Sequence, residues 1–268
     1  MRRRCRPLLG TFVEIVAEQD QAVEAAFAAV GRVHRLMSAH EPDSDVSRIN
    51  RAAHCEWVAV DAWTAAVIER ALYWWEQSEG AFDVLEAGKA AIDGDLLPRH
   101  PDQPLPVSDD MSVLELENSR VRLSLPATID LGGIAKGFAV DRAVDALRAG
   151  GALAGLVNAG GDMRGFGGDW PVQVRDPATQ RPVAEIGLND RALASSASID
   201  GSMLHICNPD ERWRSVTVCA PIAIDADALT KIVLAASPVA AKCLRHAEAQ
   251  AFGITVDGTV EALALEKA

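Results

Sequence analysis

The chain has 268 residues, 49% of them apolar and 24% charged, the proportions of a globular protein rather than of a disordered segment or a membrane bundle. Lys and Arg number 26 against 38 Asp and Glu, a formal net charge of −12, which argues against nonspecific nucleic-acid binding. A phosphate-bearing ligand must then be held locally, by backbone amides, a lysine or a metal.

The opening Met1-Arg2-Arg3-Arg4-Cys5-Arg6 has the charge of a secretory n-region, but Leu8 to Val16 alternates like a strand and includes Glu14. No apolar run approaches the roughly 20 residues that a membrane-spanning helix needs. The expectation is a cytoplasmic protein with neither signal peptide nor lipid anchor. The five cysteines, at 5, 55, 207, 219 and 243, contain no CxxC pair, so no disulfide framework or cysteine zinc site is indicated.

In chain order, the periodicity predicts a strand at 8–17 and a helix at about 20–37 with Val23, Phe27, Val30 and Met37 on one face. A helix at about 62–78 places Trp63, Val67, Ala71 and Trp75 on one stripe and ends near Gly80. Pro98 to Asp110, with four prolines and three aspartates, reads as an exposed connection. A strand near 119–124 precedes Asp130-Leu131-Gly132-Gly133, which leads into a helix stopped by Gly150-Gly151. Short strands are expected at 153–158, 171–176, 183–188, 192–196 and 215–220. Asp225 to Ala236 reads as a helix, and Ser237-Pro238 starts another with proline at its first position. A hairpin turns at Asp257-Gly258 between 251–256 and 260–265. The irregular alternation predicts an α+β fold, one large domain over 1–268 with mixed or antiparallel sheets and packed helices.

No GxGxxG follows a predicted strand, Gly88-Lys89 lacks the rest of a Walker A loop, and neither HExxH nor a GxSxG elbow occurs. Four segments stand out. Asp130-Leu131-Gly132-Gly133-Ile134-Ala135-Lys136-Gly137 reads equally as an anion site at a helix N-terminus or as a helix cap followed by an exposed lysine. Asn158-Ala159-Gly160-Gly161-Asp162 is a sharp turn where backbone could approach a ligand, though a plain turn is the commoner meaning. Leu204-His205-Ile206-Cys207-Asn208-Pro209 carries a lone histidine, by itself a weak candidate for a base. In Asp225-Ala226-Asp227-Ala228-Leu229-Thr230-Lys231, Asp227 and Lys231 share a helix face, so an i,i+4 pair is the default, and a carboxylate holding a hard cation the alternative.

Together and in order, these segments resemble the ApbE-type FAD:protein FMN transferases. Leu9-Gly10-Thr11 resembles that family's opening Met-Gly-Thr, and the run from Met37 to Asn50 its Ser-rich segment ending in Ser-Arg-x-Asn. Ala81-Phe82-Asp83, the Asp-Leu-Gly-Gly-Ile-Ala-Lys-Gly run, Gly-Gly-Asp, His-Ile-x-x-Pro and Ala-Asp-Ala-Leu follow. The resemblance implies an enzyme that cleaves the FAD pyrophosphate, joins FMN to a threonine hydroxyl of an acceptor protein and releases AMP. It implies that Ala81, Phe82, Asp83, Asp130, Lys136 and the Ile206 backbone contact FAD, and that His205 takes the threonine proton. It also implies that the Gly133 carbonyl and Asp227 hold Mg²⁺.

Two departures from the family pattern touch the ligand. Lys231 stands where the family usually has a metal-ligating threonine, and an ammonium has no lone pair to give a metal. Lys231 is therefore expected to supply part of the cation's charge at the phosphate, and is counted with His205 as catalytic. His40 stands where a tyrosine is common, a ring expected near the flavin that offers less stacking area. The alternatives to transfer are a non-catalytic FAD-binding protein of the same fold and a pyrophosphatase giving FMN and AMP.

Overall fold

The structure is a computed structural model that describes residues 1–52, 55–94, 97, 103, 106–197 and 210–263. The chain opens with a hairpin of β1 (Arg2–Leu8) and β2 (Thr11–Ala17), paired from Arg2↔Ala17 to Leu8↔Thr11. The single strand expected at 8–17 is thus half of a pair: Leu9 and Gly10, with φ of 55° and 69°, make a two-residue turn that alternation alone does not reveal. The arginines of β1 lie along its open edge and pair with acids, as Arg2 does with Asp20 and Arg6 with Glu24.

Next come α1 (Asp20–Met37), α2 (Asp45–Arg51), β3 (Val58–Ala59), α3 (Ala62–Gln77) and α4 (Val84–Asp93). The second half holds β4 (Leu114–Glu117), β5 (Arg120–Leu123), α5 (Ala135–Ala149), β6 (Gly155–Ala159), β7 (Asp162–Phe166), β8 (Trp170–Arg175) and β9 (Pro182–Leu188). It closes with β10 (Ala192–Ala197), β11 (Trp213–Ala220), α6 (Ala223–Leu234), α7 (Ala240–His246), β12 (Gln250–Thr255) and β13 (Val260–Leu263). The main sheet runs β1-β2-β6-β7-β10-β11-β12-β13, and β3-β5-β4 and β8-β9 form two smaller sheets. Every pairing among the described residues is antiparallel, the α+β architecture expected. Among them, no helix is long and apolar enough to cross a membrane.

Alternation along the strands divides the apolar residues between two faces. Val13, Ile15, Val157 and Val216 face the helices and meet Val30 of α1, Val140 and Val144 of α5 and Leu229 of α6. Val16, Leu156 and Leu193 face the other way, where the β8-β9 hairpin covers them with Val172, Val174 and Leu188.

Helix α6 lies at the centre and is buried along all 12 residues, so its four polar side chains must find partners inside the protein. Asp225 accepts two bonds from Arg70, each 2.6 Å, and one from Trp74 Nε1 at 2.9 Å. This contact explains why the buried tryptophan of α3 is Trp74 and not the expected Trp75, since the stripe carries the indole to an acceptor. Asp141 of α5 accepts the first amides of α6, Ala223 at 3.0 Å and Ile224 at 2.9 Å, doing the work of an N-cap from a neighbouring helix. Gly137 lets the two helices touch: a Cβ there would stand 2.2 Å from the Ala223 carbonyl oxygen.

Two other expectations shift. Val239 caps α7, so Pro238 precedes the helix and is not its first residue. Of the exposed connection expected at 98–110, residues 98–102 and 104–105 lie outside the described residues; Val107, Asp109 and Asp110 are exposed as expected, whereas Gln103 is buried, with Nε2 bonded to Thr128 Oγ1 at 3.0 Å. Six elements had no sequence expectation: β1, α2, β3, α4, β4 and β7. Helix α4 is short and holds Gly88 against the Thr128 carbonyl, where a Cβ would come within 2.1 Å.

Candidate active site

A cavity of about 550 Å³ opens between the end of α1, α4 and the start of α5. Met37, Ala91 and Ala135 give it an apolar wall, and Asp130, Gly132 and Lys136 a polar end. His40 lines it as an exposed ring, beside the loop where Ser38 Oγ accepts the His40 amide at 3.2 Å.

Four charged side chains meet at and behind the polar end. Lys136 of α5 pairs with Asp162 at the start of β7. Its Nζ also lies 3.9 Å from Asp227 Oδ1 of α6. Lys231 donates to that same Asp227 Oδ1 and, at 3.2 Å, to the Asp227 carbonyl oxygen. The other carboxylate oxygen, Oδ2, accepts the Gly137 amide at 3.0 Å. The local fold explains the convergence. Gly160 and Gly161, with φ of 66° and 104°, turn β6 into β7 and deliver Asp162, while Asn158 Oδ1 accepts the Gly161 amide.

The four charges tune one another. Burial opposes the charge on Lys136, but Asp162 and Asp227 outweigh it and raise its pKa above the usual lysine range. Burial and the neighbouring Asp227 push Asp162 up to about 6, against the pull of Lys136 and Lys231. Asp227 is fully buried too, yet Lys136, Lys231 and the Gly137 amide hold its pKa below the ordinary value.

The other sequence-named residues fall into three groups. Asp130 lines the cavity and accepts the Gly132 amide at 2.9 Å. Ala81, Phe82 and Asp83 form the link between α3 and α4. The Phe82 ring is buried in the core, so any ligand contact from this residue would come through its backbone. Asp83 caps α4, accepting the Leu85 and Glu86 amides at 2.7 and 2.9 Å, and burial pushes its carboxyl up to about 6 against those two bonds. His205 and Ile206 lie outside the described residues.

The expected Mg²⁺ donors, the Gly133 carbonyl and Asp227, do not fit the ion as the side chains stand. Both Asp227 oxygens are engaged, one of them by an ammonium that no metal can accept as a ligand. Among the described residues no group of three or more His, Cys, Asp or Glu could hold a metal. The anion at the first turn of α5 is the Asp227 carboxylate itself, a use of the helix N-terminus that the sequence left open between phosphate site and cap.

The description "ApbE family" belongs to a family model that matches residues 9–253. The chain belongs to the ApbE family. It is 28% identical to the FAD:protein FMN transferase of Treponema pallidum, over 80% of this chain and 70% of that protein. It is 29% identical to the one of Haemophilus influenzae, over 81% and 72%. The ApbE protein of Thermotoga maritima superposes with a TM-score of 0.82 at 26% identity, covering 97% of this chain and 96% of that one. The flavin transferase ApbE of Vibrio cholerae shares the fold, with a TM-score of 0.81 at 23% identity over 98% and 97%.

For an ApbE-family chain, the main residue that sequence reasoning left without a role is Asp162. Its segment was singled out, but an aspartate after two glycines carries no sign that a lysine 26 residues earlier waits for it. The Thr230 hydroxyl donates to the Asp227 carbonyl at 2.7 Å, the same oxygen that Lys231 reaches, and bonds with Ser196 Oγ at 2.8 Å.

Proposed function

We propose that this chain is an FAD:protein FMN transferase, joining FMN from FAD to a threonine of an acceptor protein and releasing AMP. The observation that carries this reading is the cavity of about 550 Å³ that ends at Lys136, inside a chain matched by the ApbE family model over residues 9–253. The volume suits a ligand of nucleotide size, and its walls divide as a flavin dinucleotide does, apolar for rings and cationic for phosphate.

In the proposed reaction the threonine Oγ attacks the phosphorus on the FMN side. A new O–P bond forms as the P–O bond to the AMP phosphate breaks, and the bonding pair leaves on AMP. The hydroxyl proton passes to His205, assigned here on its motif alone. Such a transfer draws little covalent chemistry from the protein and depends on positioning and charge. Lys136 faces the cavity with its side chain one-third exposed (33%), so it can meet the diphosphate directly. Asp162 holds that lysine charged and aimed. Mg²⁺ is part of the family expectation, as a Lewis acid that would neutralise phosphate charge, but no step here is routed through it.

Incubation with FAD and a threonine-bearing acceptor tests the proposal. AMP together with fluorescent flavin fixed to the acceptor is the expected result, and His205→Ala should abolish both while leaving FAD bound. AMP without label would identify a pyrophosphatase. Bound FAD with no AMP would identify a binding protein, the reading that the occupied Asp227 favours.

A further inference from the structure

We infer that in this chain the Lys231 ammonium occupies the seat of the divalent cation, so that flavin diphosphate is bound without metal; the inference rests on the flavin reading above. Three observations converge. Lys231 reaches Asp227 through two oxygens, Oδ1 and the main-chain carbonyl, gripping one residue as a bound cation would. Its side chain is only 5% exposed, and among the described residues Asp227 is the one that Nζ bonds. Among the described residues one of the three ammonium N–H groups thus has no acceptor, and a buried donor calls for one.

The second observation is charge balance. Lys136, Lys231, Asp162 and Asp227 form a linked group of two ammoniums and two carboxylates, buried apart from the one-third exposed Lys136 and neutral without any ion. With a neutral residue at 231 the same group would carry a net negative charge next to an incoming diphosphate, and a cation would be required. With Lys231 present, a divalent ion would be forced against two ammoniums.

The third is that each Asp227 carboxylate oxygen already holds a donor, Lys231 on Oδ1 and the Gly137 amide on Oδ2. Oδ2 accepts the Gly137 amide at 3.0 Å, at the point where α5 and α6 are in direct contact. To turn a bare oxygen toward a metal the carboxylate would have to give up this bond or the one to Lys231.

Metal-stripped full-length protein titrated with Mn²⁺ and followed by electron paramagnetic resonance reads the cation seat without reference to activity. We expect no binding below millimolar Mn²⁺, and an FAD affinity that is the same in EDTA and in millimolar Mg²⁺. Lys231→Thr should gain a Mn²⁺ site and bind FAD about tenfold more weakly in EDTA, with Mg²⁺ restoring it. Micromolar Mn²⁺ binding by the unsubstituted protein, or loss of its FAD binding in EDTA, would overturn the inference. So would Lys231→Thr that binds FAD equally well with and without metal. If that variant does not fold, the Mn²⁺ titration of the unsubstituted protein still decides. Failure to bind FAD under any condition would sink the flavin reading, while the Mn²⁺ result would stand on its own.

Discussion

Asp83 shows how one side chain can serve the fold at a cost that depends on pH. It caps α4 through two amides, yet burial pushes its carboxyl up to about 6, so the charged form is disfavoured despite those bonds. Because the folded value lies above the unfolded one, the native state binds more protons between about pH 4 and pH 6. The group's contribution to stability therefore grows as pH falls through 6 and is lost as pH rises. Asparagine keeps a capping oxygen and cannot ionise. Asp83→Asn should accordingly melt higher than the parent at pH 7 to 8 and lose that advantage by about pH 4, with Tm moving roughly 2–4 °C per kcal/mol. Thermal melts across the range check this; a Tm difference that does not change with pH refutes it. At this scale the sequence identified the residue through its Phe-Asp motif but not its task, because capping is a matter of where the helix begins, and α4 itself was not foreseen.

At the scale of elements, the contact that matters most is between α5 and α6, since Lys136 rides on one and Asp227 and Lys231 on the other. The close approach is made by a missing side chain: a Cβ at Gly137 would meet the Ala223 carbonyl oxygen at 2.2 Å and Asp227 Cβ at 2.8 Å. Backbone cannot yield as a flexible side chain can, so the helices would have to separate. Gly137→Ala should cost about 1–3 kcal/mol of stability, despite alanine's better helix propensity. It should also weaken FAD binding, because separation lengthens the Asp227 contacts with both the Gly137 amide and Lys136. Denaturant melts and flavin titration of the variant measure the two effects, and a variant as stable and as tight as the parent would show that the gap closes some other way. Helices α1 and α3 were legible because each carries a long apolar period, and α5 from the glycine-rich lead-in and the Gly150-Gly151 stop, with Gly150 ending it as expected. Helix α6 was legible for a different reason, its motif, since it is buried on all sides and has no polar face to set a period. Strand β7 was missed because Asp162 and Arg164 interrupt its apolar pattern for partners on other elements, Lys136 and Asp141.

Across the whole molecule, the eight-stranded sheet divides two cores of unequal size. The helix-side core gathers α1, α3, α5 and α6, whereas the far side is covered by one hairpin whose two strands pair only with each other among the described residues. The sequence showed the strands of this hairpin but could not assign them to a layer, because β8 and the sheet strands share the same alternation. The net charge of −12 was equally silent on the site, where two lysines and two aspartates cancel regardless of the surface. Cohesion should follow the layers. The hairpin holds its place through six buried apolar residues shared with the sheet, together with side-chain bonds such as Trp170 Nε1 to the Phe166 carbonyl at 3.1 Å. Helix α6 sits under α5 and against β10 and β11, and its amides can reach solvent only if that stack comes apart. Native-state hydrogen exchange should therefore find the α6 and β11 amides exchanging only through global unfolding, with a steep dependence on denaturant. The β8-β9 amides should exchange through a local opening of lower free energy and shallow dependence, with the α5–α6 site intact. Equal free energies and slopes for the two regions would mean that the hairpin and the helical core unfold as a single cooperative unit.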